Sequence, residues 1–412
     1  MSEPAVPSSC EVIVVGAGPA GSACAQKLAE AGFAVLLVDQ HVFPRDKICG
    51  DGLIPDAHAA LRRLGVHDEV MDQAAHVPHV RCVGSRGGHV DVPGTLAVLP
   101  RLQLDQILLN AALRAGATPC MPARFEAPLL DGDRVIGARL KVGGVGHEVR
   151  HEVRARWGVI ATGAVPQALL AAEVCERRTP SGVALRGYVH HPGLVGRITG
   201  LEIVWHKRLS GGYGWIFPVP GGRFNIGAGL TGSHQVAGAG GRLKMQDVNL
   251  RQMFDTFCEV YAPARELMAG GTLQGELKGA PLRCSLNGAR WSRPGLLVTG
   301  EAAGSTYAFS GEGIGKAMET GLLAAEALVA DQTSTDADTR ARYEASLRAL
   351  LPRFDLYDKA STINHHPWLA DLVIWRARRS PRILRRMVGV LEETQNPGRL
   401  LTWSGITKLL TE

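Results

Sequence analysis

Apolar and polar positions fall into recognisable periods along the chain. Residues 11–40 read EVIVVGAGPAGSACAQKLAEAGFAVLLVDQ. The β-branched run at 11–15 predicts a strand buried on both faces, followed by a helix to about 31 and a second strand at 35–38. A short helix is expected at 56–64 and a hairpin at 79–92, with its turn near 85–88. In 100–115, Leu104, Ile107, Leu108, Ala111 and Ala112 make a helical stripe. Residues 134–142 alternate cleanly and predict a hairpin with 148–155, while 158–163 predicts a further buried strand ending in a glycine turn. From 181 to about 283 the pattern becomes β-rich: ALRGYVHH, GLEIVWHK, GYGWIFPVP and RFNIGAGL read as strands, interrupted by a helix near 249–261. Residues 296–300 give one more buried strand, then a glycine loop runs straight into a helix. A helix at 339–351 and a basic, apolar helical tail from 367 complete the chain.

The stretch that organises this order is the first. Gly16, Gly18 and Gly21 have the GxGxxG spacing, with Pro19 and Ala20 inside the turn, between a strand and a helix. The first glycine permits a tight turn, the second lets backbone approach a pyrophosphate, and the third lets helix and strand pack closely. The helix start offers free N–H groups to phosphate. Asp39, with Gln40 beside it, ends the second strand, where a carboxylate accepts ribose hydroxyls. The reading is a dinucleotide fold assembled from three separated pieces (1–75, 97–170 and 284–335). A β-rich substrate layer (76–96 and 171–283) is inserted between them, and a C-terminal helical region spans 336–412.

Composition changes this picture little. The 412 residues carry 45 Lys+Arg against 39 Asp+Glu, a net charge of +6, and 45% hydrophobic residues. That describes an ordinary soluble globular protein; no basic run interleaved with aromatics argues for nucleic acid. Eight scattered cysteines without CxxC or zinc spacing read as reduced thiols, and no metal site is expected. The adjacent pairs His190–His191 and His365–His366 lack helical ligand spacing. Without a signal-like N-terminal stretch or an apolar run of about 18 residues, the expectation is a cytoplasmic protein. The tail carries Arg376, Arg378, Arg379, Arg382, Arg385 and Arg386 among Leu372, Val373, Ile374, Trp375, Ile383, Leu384 and Met387. It reads either as a solvated helix face or as a peripheral membrane contact.

Four stretches, GAGPAGSACA, PRDKICGDGLIP, GYGWIFPVP and VTGEAAGSTYAFSGEGIGKAMETG, give the chain a resemblance to the geranylgeranyl reductase family of FAD-dependent oxidoreductases. That family lies within the para-hydroxybenzoate-hydroxylase-like fold, and the resemblance covers roughly residues 10–325. It implies an α/β, Rossmann-like FAD-binding fold of the group A flavoprotein type. An inserted antiparallel substrate sheet and a helical C-terminal region complete the expected architecture.

The resemblance also assigns roles. FAD contacts are expected from the first glycine turn, Asp39, Gln40, Arg45, Gly50 and Arg101, the last in an R-x-x-x-D pattern with Asp105. Further contacts are expected from Ala161, Thr162 and Gly163, and from Gly300, Glu301, Ala302, Gly311, Gly313 and Ile314 at the isoalloxazine and ribityl end. Glu301 stands where the family usually has Asp. Cys49, beside Lys47, resembles the family's active-site cysteine, which positions or protonates substrate. Tyr213, Trp215 and Phe217 alternate on one strand face and are expected to wall a lipophilic substrate, with Tyr307 and Phe309 as further substrate contacts. Residues 161–167 lack the Asp of the G-A-D-G-x-x-S stretch common in this fold.

The implied activity is reduction of carbon–carbon double bonds in an isoprenoid or polyene-like chain, by hydride transfer from flavin N5. NAD(P)H is the expected reductant, with a ferredoxin or a carrier protein as candidate partners. A monooxygenase acting through a flavin hydroperoxide is the alternative on the same scaffold. A halogenase would need a lysine after the first motif, and there is none between Lys47 and Lys141.

Overall fold

The computed structural model describes residues 6–144, 146–209, 211–232, 248–330 and 335–395, with strand backbone at 236–237 and 243–244. Residues 396–412 of the expected C-terminal region, and 331–334 at its junction, lie outside the described residues.

Strand β1 (Ser9–Val15) is followed by helix α1 (Pro19–Glu30) and strand β2 (Val35–Val38). β1 pairs in parallel with β2 on one side and with strand Val149–Ile160 on the other. Val12, Val14, Leu36 and Leu37 are fully buried, and each such side chain contributes about 1.5–3 kcal/mol of burial free energy. The sheet runs Ser292–Arg293, Leu296–Val298, Val149–Ile160, β1, β2, Thr118–Cys120. The expected strands at 148–155 and 158–163 are one strand. Its first half pairs antiparallel with Arg134–Val142 and its second half parallel with β1. Nothing in the intervening sequence breaks it, because Trp157 and Val159 simply continue the alternation into a two-sided core.

Helix Ile314–Val329 packs on α1 so closely that a Cβ on Gly321 would lie 2.2 Å from the Ala20 carbonyl oxygen. That contact brings the two glycine-rich helix entries, some 300 residues apart in sequence, to one edge of the sheet.

The second sheet runs Thr272–Leu282, Gly182–His190, Arg223–Thr231, Gly212–Val219, Leu201–Val204, Ala75–Val83, His89–Val98, Gly52–Leu53. The expected hairpin at 79–92 is the Ala75–Val83 and His89–Val98 pair. The two-residue strand Gly52–Leu53 extends the sheet from inside the first expected cofactor piece. Helix Leu250–Val260 is joined by a second, Ala262–Gly270, that the pattern did not separate.

Helix Asp336–Ala360 opens with a capping box between Thr335 and Asp338, and Tyr343 Oη donates to the Val298 carbonyl at 2.6 Å, fixing the helix on the first sheet. Helices Pro367–Ala377 and Pro381–Leu391 then cross the second sheet. Val373, Ile374 and Ile383 share a buried cluster with Val80, Val92 and Leu96. These apolar tail residues, read above as part of either a solvated helix face or a peripheral membrane contact, turn inward. Trp368 and Trp375 stay exposed, at 56% and 44%. No helix among the described residues is long and apolar enough to cross a membrane.

Candidate active site

At the first glycine turn the geometry is dictated by close approach. A Cβ on Gly21 would sit 1.7 Å from the Gly16 oxygen, and one on Gly16, whose φ is +104°, would sit 2.4 Å from the Ala161 oxygen. At Gly18 a Cβ would stand 3.6 Å from an Arg45 Nη and 3.7 Å from an Arg101 Nη. Two guanidinium groups thus face the one turn glycine that leaves room for a ligand. Both are held by Asp105, which is fully buried. Its carboxylate accepts from Arg101 Nε at 2.6 Å, Arg101 Nη2 at 2.8 Å and Arg45 Nη1 at 2.7 Å. Burial opposes the charge on Arg101, but Asp105 outweighs it and keeps the guanidinium charged. Asp39 is buried at the end of β2 and accepts the Ala17 and His41 N–H groups, both at 2.9 Å, which leaves each oxygen a further lone pair. Gln40, next to it, is exposed.

The Lys47–Asp51 loop is tied to the second sheet by a polar chain that the sequence did not reveal. Trp215 Nε1 donates to Asn225 Oδ1 at 2.9 Å; Asn225 Nδ2 donates to the Cys49 carbonyl at 2.7 Å and to Asp51 Oδ2 at 2.8 Å. Tyr188 Oη donates to the same Asp51 oxygen at 2.5 Å. Arg186 lies over the Tyr188 ring and pairs with Asp46 at 2.6 Å. Burial raises Asp51 to about 6 against the pull of these partners. Cys49 is likewise pushed up by burial, with Arg101 and Lys47 pulling the other way, so the group is a thiol rather than a thiolate. Among the described residues, Lys47 Nζ donates to the Ile48 carbonyl alone, at 3.4 Å.

The second glycine motif meets the first from the opposite side. A Cβ on Gly300 would lie 2.5 Å from Ala20 Cβ. Glu301 accepts from Thr306 Oγ1 at 3.3 Å, and its other oxygen faces Gly163. Thr162 Oγ1 is buried without a partner. Ala302 and Ile314 are packed into the hydrophobic core, which leaves a ligand only their backbone. Gly311 has φ +69°, and a Cβ there would lie 2.8 Å from Tyr213 Oη, whose proton goes to the Ser310 carbonyl.

Beyond this loop lies a cavity of about 150 Å³ between the second sheet and the C-terminal helices. Tyr213, Phe309, Trp205, Val373, Met387 and Glu312 are among its walls. Trp205 and Phe309 stack with centroids 6.2 Å apart. Of the expected aromatic wall, Tyr213 and Phe309 line the cavity. Trp215 and Phe217 instead abut the Gly50 backbone, where a Cβ would stand 3.2 Å from Phe217 and 3.7 Å from Trp215. Tyr307 does not reach the cavity. It is fully buried, stacks on Tyr357 at 4.0 Å and donates to Glu393 at 2.8 Å, so the expected substrate contact is a core residue. Cys49 is not on the cavity lining either.

These residues fit a dinucleotide: a glycine cradle that a Cβ would fill, paired cations across it, a carboxylate at the strand end, and a buried, unpartnered hydroxyl on Thr162. Comparisons with known proteins agree. A family model described as "FAD binding domain" matches residues 9–174. Menaquinone reductase of Mycobacterium tuberculosis is 33% identical over 347 residues, covering 78% of this chain and 77% of that protein. Digeranylgeranylglycerophospholipid reductase 1 of Methanopyrus kandleri is 29% identical over 340 residues, covering 81% and 84%. Among solved structures, a geranylgeranyl bacteriochlorophyll reductase-like protein of Thermoplasma acidophilum superposes with a TM-score of 0.70 at 20% identity, over 98% of this chain and 96% of that one. That last likeness speaks to the fold.

Proposed function

The chain belongs to the geranylgeranyl reductase family of FAD-dependent oxidoreductases, and from that premise we propose that it saturates carbon–carbon double bonds in a polyprenyl chain. The observation that carries the proposal is the apolar cavity abutting the Gly311–Gly313 loop. A polyprenyl chain buries methyl and methylene groups against such walls at about 0.8 kcal/mol per CH₂. Bound FAD supplies the electron pair and one hydrogen, and we assign NAD(P)H as its reductant.

The protein residues do the rest. Gly16, Gly18 and Gly21 admit the pyrophosphate, Arg45 and Arg101 neutralise it, and Asp39 holds the adenosine ribose. Glu301 and Thr162 are assigned to the ribityl side. Tyr213 and Phe309 orient the chain and exclude water, so that two reacting partners meet in one geometry. An unactivated alkene accepts hydride poorly, so a proton must arrive at the second carbon in the same site. Trp368 and Trp375, seven residues apart on one exposed helix face, are assigned to contact the membrane in which such substrates dissolve.

The test is anaerobic. The holoprotein is reduced with NADPH, then given menaquinone with an unsaturated side chain in anionic vesicles. We expect reoxidation of the flavin without air, a side chain heavier by two hydrogens once the ring has been returned to the quinone, and slower turnover in Trp368→Ala/Trp375→Ala. Substrate consumed only after air is admitted would make the protein a monooxygenase.

A further inference from the structure

Saturating an alkene consumes a proton, and the cavity contains few groups able to give one. Trp205 Nε1 is committed to Asn364 Oδ1 at 2.8 Å, Tyr213 Oη to the Ser310 carbonyl, and Tyr357 Oη to the Val390 carbonyl at 2.7 Å. Cys82 is pushed by burial to about 12, and the Ser310 hydroxyl is too weak an acid. Glu312 remains, the one carboxyl among the lining residues. It sits between Gly311 and Gly313, in the loop that joins the cavity to the cofactor side.

We propose that Glu312 is the catalytic acid of this site and that its carboxyl gives the proton to the alkene carbon that does not receive the flavin's hydrogen. The proposal rests on the reductase reading above. In the step, the O–H bond of Glu312 breaks and a C–H bond forms, while the alkene's π pair becomes that bond. The electron pair and second hydrogen come from reduced FAD, which is oxidised and is reduced again by NAD(P)H. Glu312 is left as a carboxylate and recovers its proton from solvent.

The surroundings keep this acid protonated at neutral pH. Burial raises Glu312 to about 8, helped by Asp56 and by Glu393, while Ser310 and Lys316 pull it down. Every packed element contributes a group: Asp56 from helix Pro55–Arg63, Lys316 from helix Ile314–Val329, and Glu393 just past helix Pro381–Leu391. Tyr213 and Tyr357 face it from the sheet and from helix Asp336–Ala360, both driven further from ionisation, first by burial and then by this carboxyl's charge among others. Lys316 does not cancel the effect, because its charge is already shared by Glu319 at 2.7 Å, Glu393 at 2.9 Å and Asp56 at 3.6 Å.

The experiment uses the FAD-loaded protein, reduced anaerobically and mixed in detergent micelles across pH 6–9.5 with menaquinol bearing an unsaturated side chain, in which the ring is already reduced and the alkene is the remaining electron acceptor. In the wild type, flavin discharge should fall above about pH 8 with a single ionisation. Glu312→Gln should load and reduce FAD yet discharge it about 100-fold more slowly, within the range removal of a general acid produces, and without that ionisation. Glu312→Asp should restore part of the rate with a shifted profile. Infrared difference spectra of the protein without substrate give a second readout: a protonated carboxyl band at pH 7 that titrates near 8 and is missing in Glu312→Gln. Equal rates and profiles in wild type and Glu312→Gln would overturn the role of Glu312 and leave the reductase reading standing. A wild type that never discharges to the alkene would overturn both. A band that titrates in the ordinary carboxylate range would remove Glu312 as the acid whatever the rates.

Discussion

Around the first glycine turn, the walls are backbone and fixed charge: Gly16 and Gly21 against facing carbonyls, and Gly18 against two arginines that share one buried aspartate. Around the cavity, the walls are side chains from the second sheet, the second glycine loop and four stretches of the C-terminal helices. The first region offers a ligand backbone and fixed charge, with no room for an added atom at Gly16 or Gly21. The second offers it apolar area, with one ionisable carboxyl among its lining groups. A constant cofactor suits the former, and a variable lipophilic chain suits the latter. Substitutions should therefore fail differently at the two ends.

Filling the cavity should give the largest effect. Met387 lines it from helix Pro381–Leu391, and Met387→Trp adds bulk where overpacking costs about 1–3 kcal/mol. Spent against a bound polyprenyl chain, that is roughly a ten- to hundredfold loss in flavin discharge, read by anaerobic stopped flow, while FAD stays bound through gel filtration. FAD lost together with turnover would mean the two regions are one mechanical unit.

The converse change is Arg101→Gln. It removes one of the two charged donors at Gly18, each worth about 1.5–3 kcal/mol to an anionic partner, so FAD should bind about ten- to hundredfold more weakly by fluorescence titration. Asp105 keeps Arg45 as its counter-ion, which limits the structural cost. Unchanged FAD affinity would move the phosphate site away from this pair.

The same division explains what the sequence made legible. β1, α1, β2 and their glycines form a local unit: the strand period, the turn spacing and the terminal Asp39 lie within 30 residues, so sequence order nearly equals spatial order. Arg101 and Arg45 were legible as candidates for the cofactor side, and the structure brings both to Gly18, but their common partner Asp105 was legible only as part of a pattern. The chain from Trp215 through Asn225 to Asp51 and Tyr188 spans separations of 174 and 137 residues, and no local period encodes such a pairing. The C-terminal helices left two readings open for the same reason. Their apolar stripes were visible, yet whether a stripe meets lipid or the protein's own sheet depends on tertiary packing. Tyr307 and Phe309 are two residues apart in one motif, but one stacks into the core and the other lines the cavity. Glu312 was hidden between the two glycines that drew the eye; the available signal was a charged residue inside a glycine loop that ought to need none.

The smallest expected effect separates the regions by pH alone. A carboxyl whose folded pKa is raised stabilises the fold below its unfolded pKa, and that stability is lost as pH rises through the folded value. Asp51 and Asp56 are raised by burial to about 6, so their loss is largely complete by pH 6.5. His58 works in the opposite sense over the same range: burial and His67 lower it to about 4, and the fold gains stability as pH climbs to the ordinary imidazole value. The two effects partly offset each other below pH 6.5. Between about 6.5 and 8 Glu312, raised to about 8, still binds a proton in the folded state that it has lost in the unfolded one. Stability should fall there by on the order of 1 kcal/mol, discounted for the residue's partial exposure. The unfolding midpoint of the FAD-free protein should drop by about 2 °C or less across that window. Glu312→Gln should flatten the slope, whereas Asp51→Asn should leave it in place and alter only the region below 6.5. A slope that survives Glu312→Gln would place the titrating group elsewhere and return the cavity to a purely apolar container.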